Sequence, residues 1–166
     1  MNTPASFRKH PIHPMLTAFP IGLWGFSLVC DAVYHFGTSN TFWKGVAFYA
    51  IGAGIIGGLL AAIPGFVDYL SLTDPRATRI ATVHLALNLI VIVMFIFNLG
   101  IRYNALPSTG TLETLLSAIA IGVLCVSGWL GGALVFEHHV GVSMPAEAAA
   151  TRPRVEKEIE TERRAA

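Results

Sequence analysis

The sequence predicts an all-α integral membrane protein: a bundle of four transmembrane helices with short loops and a polar C-terminal tail. The first observation is composition, since 54% of the residues are hydrophobic and only 13% are charged, about half the charged share of a typical soluble domain. The second is the presence of four apolar stretches of about 20 residues or more, the length that crosses a bilayer as a helix. The third is the lack of strict alternation in these stretches, which disfavours a membrane barrel.

The elements follow in chain order. Residues 1–14 form a His-Pro segment, residues 15–143 form the four-span domain, and residues 144–166 form a charged, partly disordered tail. The apolar stretches within the domain occupy residues 15–36, 46–70, 80–101 and 115–136. Asp74 followed by Pro75 is typical of an N-cap and a first helical residue, so the third helix is expected to begin before its apolar stretch.

The distribution of Lys and Arg predicts the orientation. Four spans place both termini on one side of the membrane. Apart from the tail, that side carries Arg8, Lys9, Arg76 and Arg79, whereas the opposite side carries Lys44 and Arg102. The positive-inside rule therefore predicts that the N- and C-termini are both cytoplasmic.

Charge and motifs exclude several functional classes. A net charge of +1 and a pI of about 7.9 give no electrostatic basis for binding nucleic acid. No P-loop, GxGxxG, GxSxG or HExxH motif is present, so no autonomous active site is recognised and a redox-carrier role stays open.

Ionisable residues in or beside the spans are the candidates for function, because they are costly in hydrocarbon and usually mark a ligand site or a pathway. Each helix places one near its cytoplasmic end: His13, Asp68, His84 and His138. Asn88 lies one turn from His84 on the same face, so this face is expected to point into the bundle. Asp68 is a candidate hydrogen-bond partner that fixes the tautomer of His84.

The N-terminal motif HPIHP is expected to be extended, because each His directly precedes a Pro. A polyproline-like segment has three residues per turn, so His10 and His13 would face the same way as candidate ligands, with Pro14 opening the first helix. The alternative is a helix start with ordinary surface histidines. At the far end of the first helix, Asp31 and His35 are four residues apart and are expected to pair locally.

Two histidines from different helices suit a non-covalent b-type haem, since no CxxCH attachment motif is present. His84 with either His13 or His138 is the candidate axial pair. Arg76 and Arg79 are candidates to bind the haem propionates, or are ordinary topology residues. Neutral imidazoles with carboxylates also suit zinc or another transition metal. A third interpretation is that these polar residues bind no cofactor and only hold the helices together.

Small residues at four-residue spacing indicate close helix contacts. Gly54 and Gly58 have this spacing in the second span, and Gly128 and Gly132 have it in the fourth. Such glycines let helix backbones approach closely. The open alternatives are packing within one chain, packing between chains of a homo-oligomer, and room for a flat cofactor.

Several motifs resemble the bacterial four-span membrane family labelled "domain of unknown function 2231", over roughly residues 8–143. The motifs are HPIHPML from His10, FPIG from Phe19, GFVD from Gly65, His84 with Asn88, and GGALVFEHHVGV from Gly131. The family often has Tyr and Gly where this chain has Phe136 and His139, so His138 is the residue that matches the family histidine.

The resemblance implies a four-helix protein of the bacterial inner membrane. Some relatives are associated with Rieske-type iron–sulfur domains, which implies redox chemistry. This chain has no Rieske Cys/His motif, so such a partner would be a separate polypeptide. The expected function is a membrane protein that binds haem and transfers electrons. The alternatives are a non-haem metal-binding or transport-related protein and a structural subunit.

Overall fold

The computed structural model describes residues 4–8, 10–105 and 110–142. Over this part of the chain, the helices are α1 Ile12–Val33, α2 Phe42–Leu70, α3 Pro75–Ala105 and α4 Thr111–Phe136. A π-helical turn, Tyr34–Thr38, continues α1. Ahead of α1, the two-residue strands β1 Ser6–Phe7 and β2 His10–Pro11 pair antiparallel. The predicted all-α bundle of four apolar helices is confirmed.

All four helices are long and apolar enough to cross a membrane, and less than half of each apolar window is buried inside the bundle. Large apolar side chains point outwards instead, including Phe36, Trp129 and Phe136, which are 91%, 81% and 80% exposed. Exposing this much apolar surface to water is unfavourable. The protein therefore resides in a lipid bilayer.

The bundle consists of two helical hairpins. α1 packs mainly against α2 and α3 mainly against α4, while α2–α3 and α1–α4 contacts join the hairpins, so α1 and α3 are diagonal. At the centre, the rings of Trp24 and Phe95 stack with centroids 4.4 Å apart. A Cβ at Gly54 would lie 2.6 Å from Trp24 Cδ1, so this glycine makes room for the indole. Of the alternatives for these glycines, Gly54 therefore serves packing within one chain.

The up-and-down topology gives the bundle two chemically different ends. The histidine end contains the start of α1, the end of α2, the start of α3 and the end of α4. The charged end contains the opposite termini of the four helices.

Two helix starts illustrate the local rules. α3 begins at Pro75, where the Asp74 carboxylate accepts hydrogen bonds from the N–H groups of Arg76 and Ala77 at 3.1 and 3.3 Å. α1 begins earlier than expected, at Ile12, which places Pro14 inside its first turn. Backbone N–H groups of a first turn have no partner within the helix, so a proline there removes no hydrogen bond. The predicted tail at 144–166 lies outside the described residues.

Candidate functional site

The structure brings His13 and His84 together at the histidine end, across the diagonal between α1 and α3. Their ring centroids are 6.2 Å apart and their planes are nearly perpendicular, at 89°. Both side chains are half-buried. Two of the predicted ligands therefore form a pair inside the bundle.

Each imidazole is held by the other helix of its own hairpin. His13 Nδ1 lies 2.8 Å from the carbonyl oxygen of Ala61 on α2, and His84 Nδ1 lies 2.8 Å from that of Ser127 on α4. A carbonyl only accepts hydrogen bonds, so each Nδ1 carries the proton and donates it. In the neutral ring, Nε2 is then the nitrogen that carries the lone pair, and this is the form of imidazole that binds metals.

A glycine beneath each ring makes this approach possible. A Cβ at Gly65 would lie 2.6 Å from His13 Nδ1, and a Cβ at Gly131 would lie 3.0 Å from His84 Cε1. A Cβ at the neighbouring Gly132 would meet nothing within 4 Å. Gly65 and Gly131 thus accommodate the imidazoles themselves, so the space that they provide is already filled.

The two Nε2 atoms differ in their surroundings. Asn88 Nδ2 donates to His84 Nε2 at 3.0 Å and to the carbonyl oxygen of His84 at 2.9 Å. The prediction that Asn88 shares the polar face of His84 is confirmed. Within the described ranges, His13 Nε2 has no hydrogen-bond partner.

Asp68 does not hold His84, which corrects the expected pairing. Both nitrogens of the His84 ring are taken by Ser127 and Asn88. The buried Asp68 instead accepts a hydrogen bond from the backbone N–H of Ala5 at 2.9 Å. It therefore ties the segment before α1 to the end of α2.

The expected extended segment is found only in part: His10 and Pro11 are extended in β2, whereas His13 is helical, so the two imidazoles do not share one polyproline-like stretch. The backbone of Arg8 adopts a left-handed conformation, with φ of 50°, and the chain folds back so that Ile12 N donates to Ala5 O at 3.0 Å. His10 lies exposed in β2, with Nδ1 3.0 Å from Arg8 O. His13 lies in α1, so the two rings belong to different elements.

The remaining predicted ligands lie at the N-terminus of α3. His138 Nδ1 is 3.2 Å from Asp74 Oδ2, and Arg76 and Arg79 are exposed on the first turns of α3. The pKa of Asp74 lies below its usual value, chiefly because the N–H of Arg76 donates to its carboxylate. The N–H of Ala77 and then His138 lower this pKa further, by smaller amounts. In the described part of the chain, no three His, Cys, Asp or Glu side chains form a metal-binding group.

The charged end contains an ion-pair network that the sequence pattern did not reveal. Asp31, Lys44 and Arg102 are fully buried. Arg102 donates to both carboxylate oxygens of Asp31, with Nη1 at 2.9 Å from Oδ1, and Lys44 Nζ lies 3.6 Å from Oδ1. The expected local pair is therefore wrong: His35 Nε2 lies 3.1 Å from Thr114 Oγ1 and 3.3 Å from Lys44 Nζ instead.

Polar side chains extend this network into the bundle. Arg102 Nε donates to Asn98 Oδ1 at 2.7 Å, and Asn98 Nδ2 donates to Ser117 Oγ and to the carbonyl oxygen of Glu113, both at 2.8 Å. The four-residue spacing of Asn98 and Arg102 in an apolar helix, at a depth like that of Asp31, was the available signal. Lys44 and Arg102 instead resembled loop charges, because they lie near span ends.

Comparison with known proteins identifies a family for this chain. No curated protein and no solved structure matches the chain. A family model described as "Predicted membrane protein (DUF2231)" matches residues 9–144, which include all four helices and the His13–His84 pair. The chain therefore belongs to the DUF2231 family of predicted membrane proteins.

Proposed function

We propose that this multi-pass membrane protein binds a transition-metal centre between His13 and His84. The observation that carries the proposal is a pair of imidazoles 6.2 Å apart, each with its Nδ1 proton donated to a backbone carbonyl. Metal-binding histidines almost always donate their other ring N–H in this way. Two metal–nitrogen bonds of about 2.0–2.1 Å, plus the distance from each ring nitrogen to its ring centre, give a similar separation.

Imidazole nitrogen binds zinc, copper, nickel and iron, including the iron of haem. The described residues fit a single ion more closely than a haem. Gly65 and Gly131 are already filled by the imidazoles, so a macrocycle needs further room between the helices. A single ion needs less room, and it would bind in place of the Asn88 amide at His84 Nε2. A bound copper or iron would supply one-electron transfer, while the chain holds the two ligands in place.

Metal analysis of the purified full-length protein tests this proposal. We expect about one metal centre per chain in the wild type and its loss in His13→Ala and in His84→Ala. His10→Ala is the matched control, because His10 is exposed on β2. Elemental analysis detects a bare ion, and a reduced-minus-oxidised visible spectrum after haem-replete expression detects haem.

Two outcomes contradict the proposal. The first is a wild-type protein without stoichiometric metal or haem under either condition. The second is a metal content that neither histidine substitution lowers. If His84→Ala then reduces only the free energy of unfolding, the pair is a structural element of the bundle.

We also infer that the histidine end faces the cytoplasm of a bacterial inner membrane. Lys44 and Arg102 are buried in an ion-pair network, so they are not free loop charges. Arg8, Arg76 and Arg79 are exposed at the histidine end, and exposed basic residues favour the cytoplasmic side. A separate Rieske-type iron–sulfur protein would then be a candidate redox partner.

Fusions at the C-terminus test the orientation. A green fluorescent protein fusion should fluoresce and an alkaline phosphatase fusion should be inactive. The reverse result would place the histidine end on the outer side.

A further inference from the structure

We infer that the bundle is two copies of one helical hairpin, α1–α2 and α3–α4, related by a two-fold axis along the bundle, and that His13 and His84 are equal halves of one ligand site. The duplication stands on contacts alone. The statement about the ligand site rests on the proposed function.

The first observation is a constant separation across the diagonal. Asp31 contacts Arg102, which lies 71 positions later. Two ring pairs have the same separation of 71 positions. They are His13 with His84 at the histidine end and Trp24 with Phe95 in the middle of the bundle. A two-fold axis brings a residue against its own equivalent. Three contacts with one separation, at both ends and in the middle, show that α1 and α3 run parallel and in register, as such an axis requires.

The second observation concerns the other helix of each hairpin. The carbonyl that accepts from His13 belongs to Ala61, and the one that accepts from His84 belongs to Ser127, 66 positions later. The glycines beneath the two rings, Gly65 and Gly131, are also 66 positions apart. Each hairpin therefore presents its imidazole by the same device, a carbonyl and a glycine four residues after it.

The two separations explain why the repeat is hidden in the sequence. The first helices of the hairpins align at 71 positions and the second helices at 66, so no single alignment without a gap matches both. Identical residues are few, and along α1 and α3 the identical pairs include Leu16 with Leu87, Ile21 with Ile92, Phe26 with Phe97, and Leu28 with Leu99. At most other positions one apolar residue replaces another, and any two membrane helices would show such replacements.

The two hairpins differ at the charged end, and this difference is consistent with a two-fold axis. Two copies of the same ionised residue would face each other there, and like charges repel. The equivalent positions carry Asp31 and Arg102 instead, and these form a buried ion pair. At the histidine end the equivalent positions are still the same residue, so the symmetry is kept where the proposed ligand lies.

The duplication narrows the class of metal centre. The described residues offer two equal imidazoles, whereas a structural zinc site takes four protein ligands. Two imidazoles without a third described ligand would suit a centre that needs few protein ligands, such as monovalent copper or, with further room between the helices, haem iron. At the histidine end, the described residues depart from symmetry at two positions. Asn88 contacts His84, whereas its equivalent, Thr17, donates to Pro14 O. Ser127 Oγ lies 3.1 Å from His84 Nδ1, whereas its equivalent, Ala61, has no hydroxyl.

The first experiment measures metal binding by the full-length His13→Ala and His84→Ala variants, loaded separately with Cu(I), Zn(II) and haem. We expect the two substitutions to lower occupancy by the same fold, and free imidazole to restore both. A variant that keeps full occupancy while the other loses it would overturn the equality of the two half-sites. Preference for Zn(II) over both Cu(I) and haem would overturn the two-ligand assignment.

The second experiment needs no metal. Gly65→Ala and Gly131→Ala are compared with Gly22→Ala and Gly132→Ala, where an added Cβ meets nothing within 4 Å. We expect both of the first two to shift the SDS unfolding midpoint downwards, Gly65→Ala by more because its Cβ would lie 2.6 Å from the ring, against 3.0 Å at Gly131. The controls should not lower the midpoint, because Ala is a better helix former than Gly. A shift in only one of the first two would overturn the equal presentation of the rings. Downward shifts in both variants without metal binding would leave the duplication intact and refute the proposed function.

Discussion

At the scale of single residues, the tautomer of each site histidine is set by the backbone of a neighbouring helix. The carbonyl oxygens of Ala61 and Ser127 each accept from an Nδ1 at 2.8 Å. Among the described residues, only Asn88 competes for an Nε2 lone pair, that of His84. Any metal between the rings must displace this hydrogen bond.

We therefore expect Asn88→Ala to bind metal more tightly than the wild type. One hydrogen bond contributes about 0.5–1.5 kcal/mol, so the dissociation constant should fall by about 2- to 10-fold. Competitive titration against a chelator measures it. Thr17→Ala is the control, because Thr17 contacts Pro14 rather than a ring. Weaker binding by Asn88→Ala would show that the amide supports the metal instead of competing with it.

The buried ion pair of Asp31 and Arg102 should be costly to break from one side. Arg102→Met leaves the Asp31 carboxylate buried with Lys44 alone, 3.6 Å away. Removing one partner of a buried pair typically costs about 3–5 kcal/mol of unfolding free energy. SDS titration of the purified protein measures the change.

The double variant Asp31→Asn with Arg102→Met should lose less stability than the sum of the two single variants, because either single change already breaks the ion pair that the two residues share. Arg79→Met, at an exposed position, should change the free energy by less than about 0.5 kcal/mol. An additive double variant would show that the two side chains do not interact.

At the scale of elements, the start of α3 is the best example of local chemistry that the sequence predicted. Asp74 caps Arg76 and Ala77, and Pro75 occupies the first helical position. α1 shows the limit of the same rules. Its start was expected later, because the residue before a proline disfavours helix, yet His13 is helical. A turn of paired strands ahead of Ile12, closed by Ala5, outweighs this local preference.

The cap of α3 should make stability depend on pH. The pKa of Asp74 is lower in the folded protein, chiefly because the N–H of Arg76 donates to its carboxylate. Its contribution is therefore complete above the unfolded pKa of about 3.9 and is lost as the pH falls through the folded pKa. Unfolding titrations between about pH 6 and pH 3 should show this loss.

Asp74→Asn provides the control, because Asn is also a good N-cap but does not titrate. This variant should lose less stability between pH 6 and pH 3 than the wild type. Equal pH dependence in both proteins would assign the effect to other carboxylates.

At the scale of the whole molecule, the outward face of the helices is the part that lipid must cover. Val126 is 57% exposed on α4, and a basic residue near the middle of a span costs about 2.5–3.5 kcal/mol for insertion. We expect Val126→Lys to reduce the amount of protein recovered in the membrane fraction, whereas Val126→Ala should leave it unchanged. Equal recovery of both variants would mean that Val126 faces protein or water.

The candidate site was predictable in part. His13 and His84 could be selected because imidazoles in apolar helices are costly, and Asn88 could be added from its four-residue spacing. His138 shares the depth of these residues, yet it contacts Asp74, since depth along a helix does not specify the direction around it. Asp68 was paired incorrectly for the same reason.

The sequence by itself determined the fold class, the four membrane helices and the helix cap at Asp74, because these depend on composition and on neighbours a few positions apart. Only the tertiary structure decided the pairs that join α1 to α3. His13 meets His84, and Asp31 meets Arg102, 71 positions away, because the packing of two hairpins sets which faces turn inward. The inferred repeat of the two hairpins also depends on the tertiary structure. Apolar residues replace one another freely along a membrane helix, so the repeat leaves little trace in the sequence, whereas the contacts between α1 and α3 reveal it.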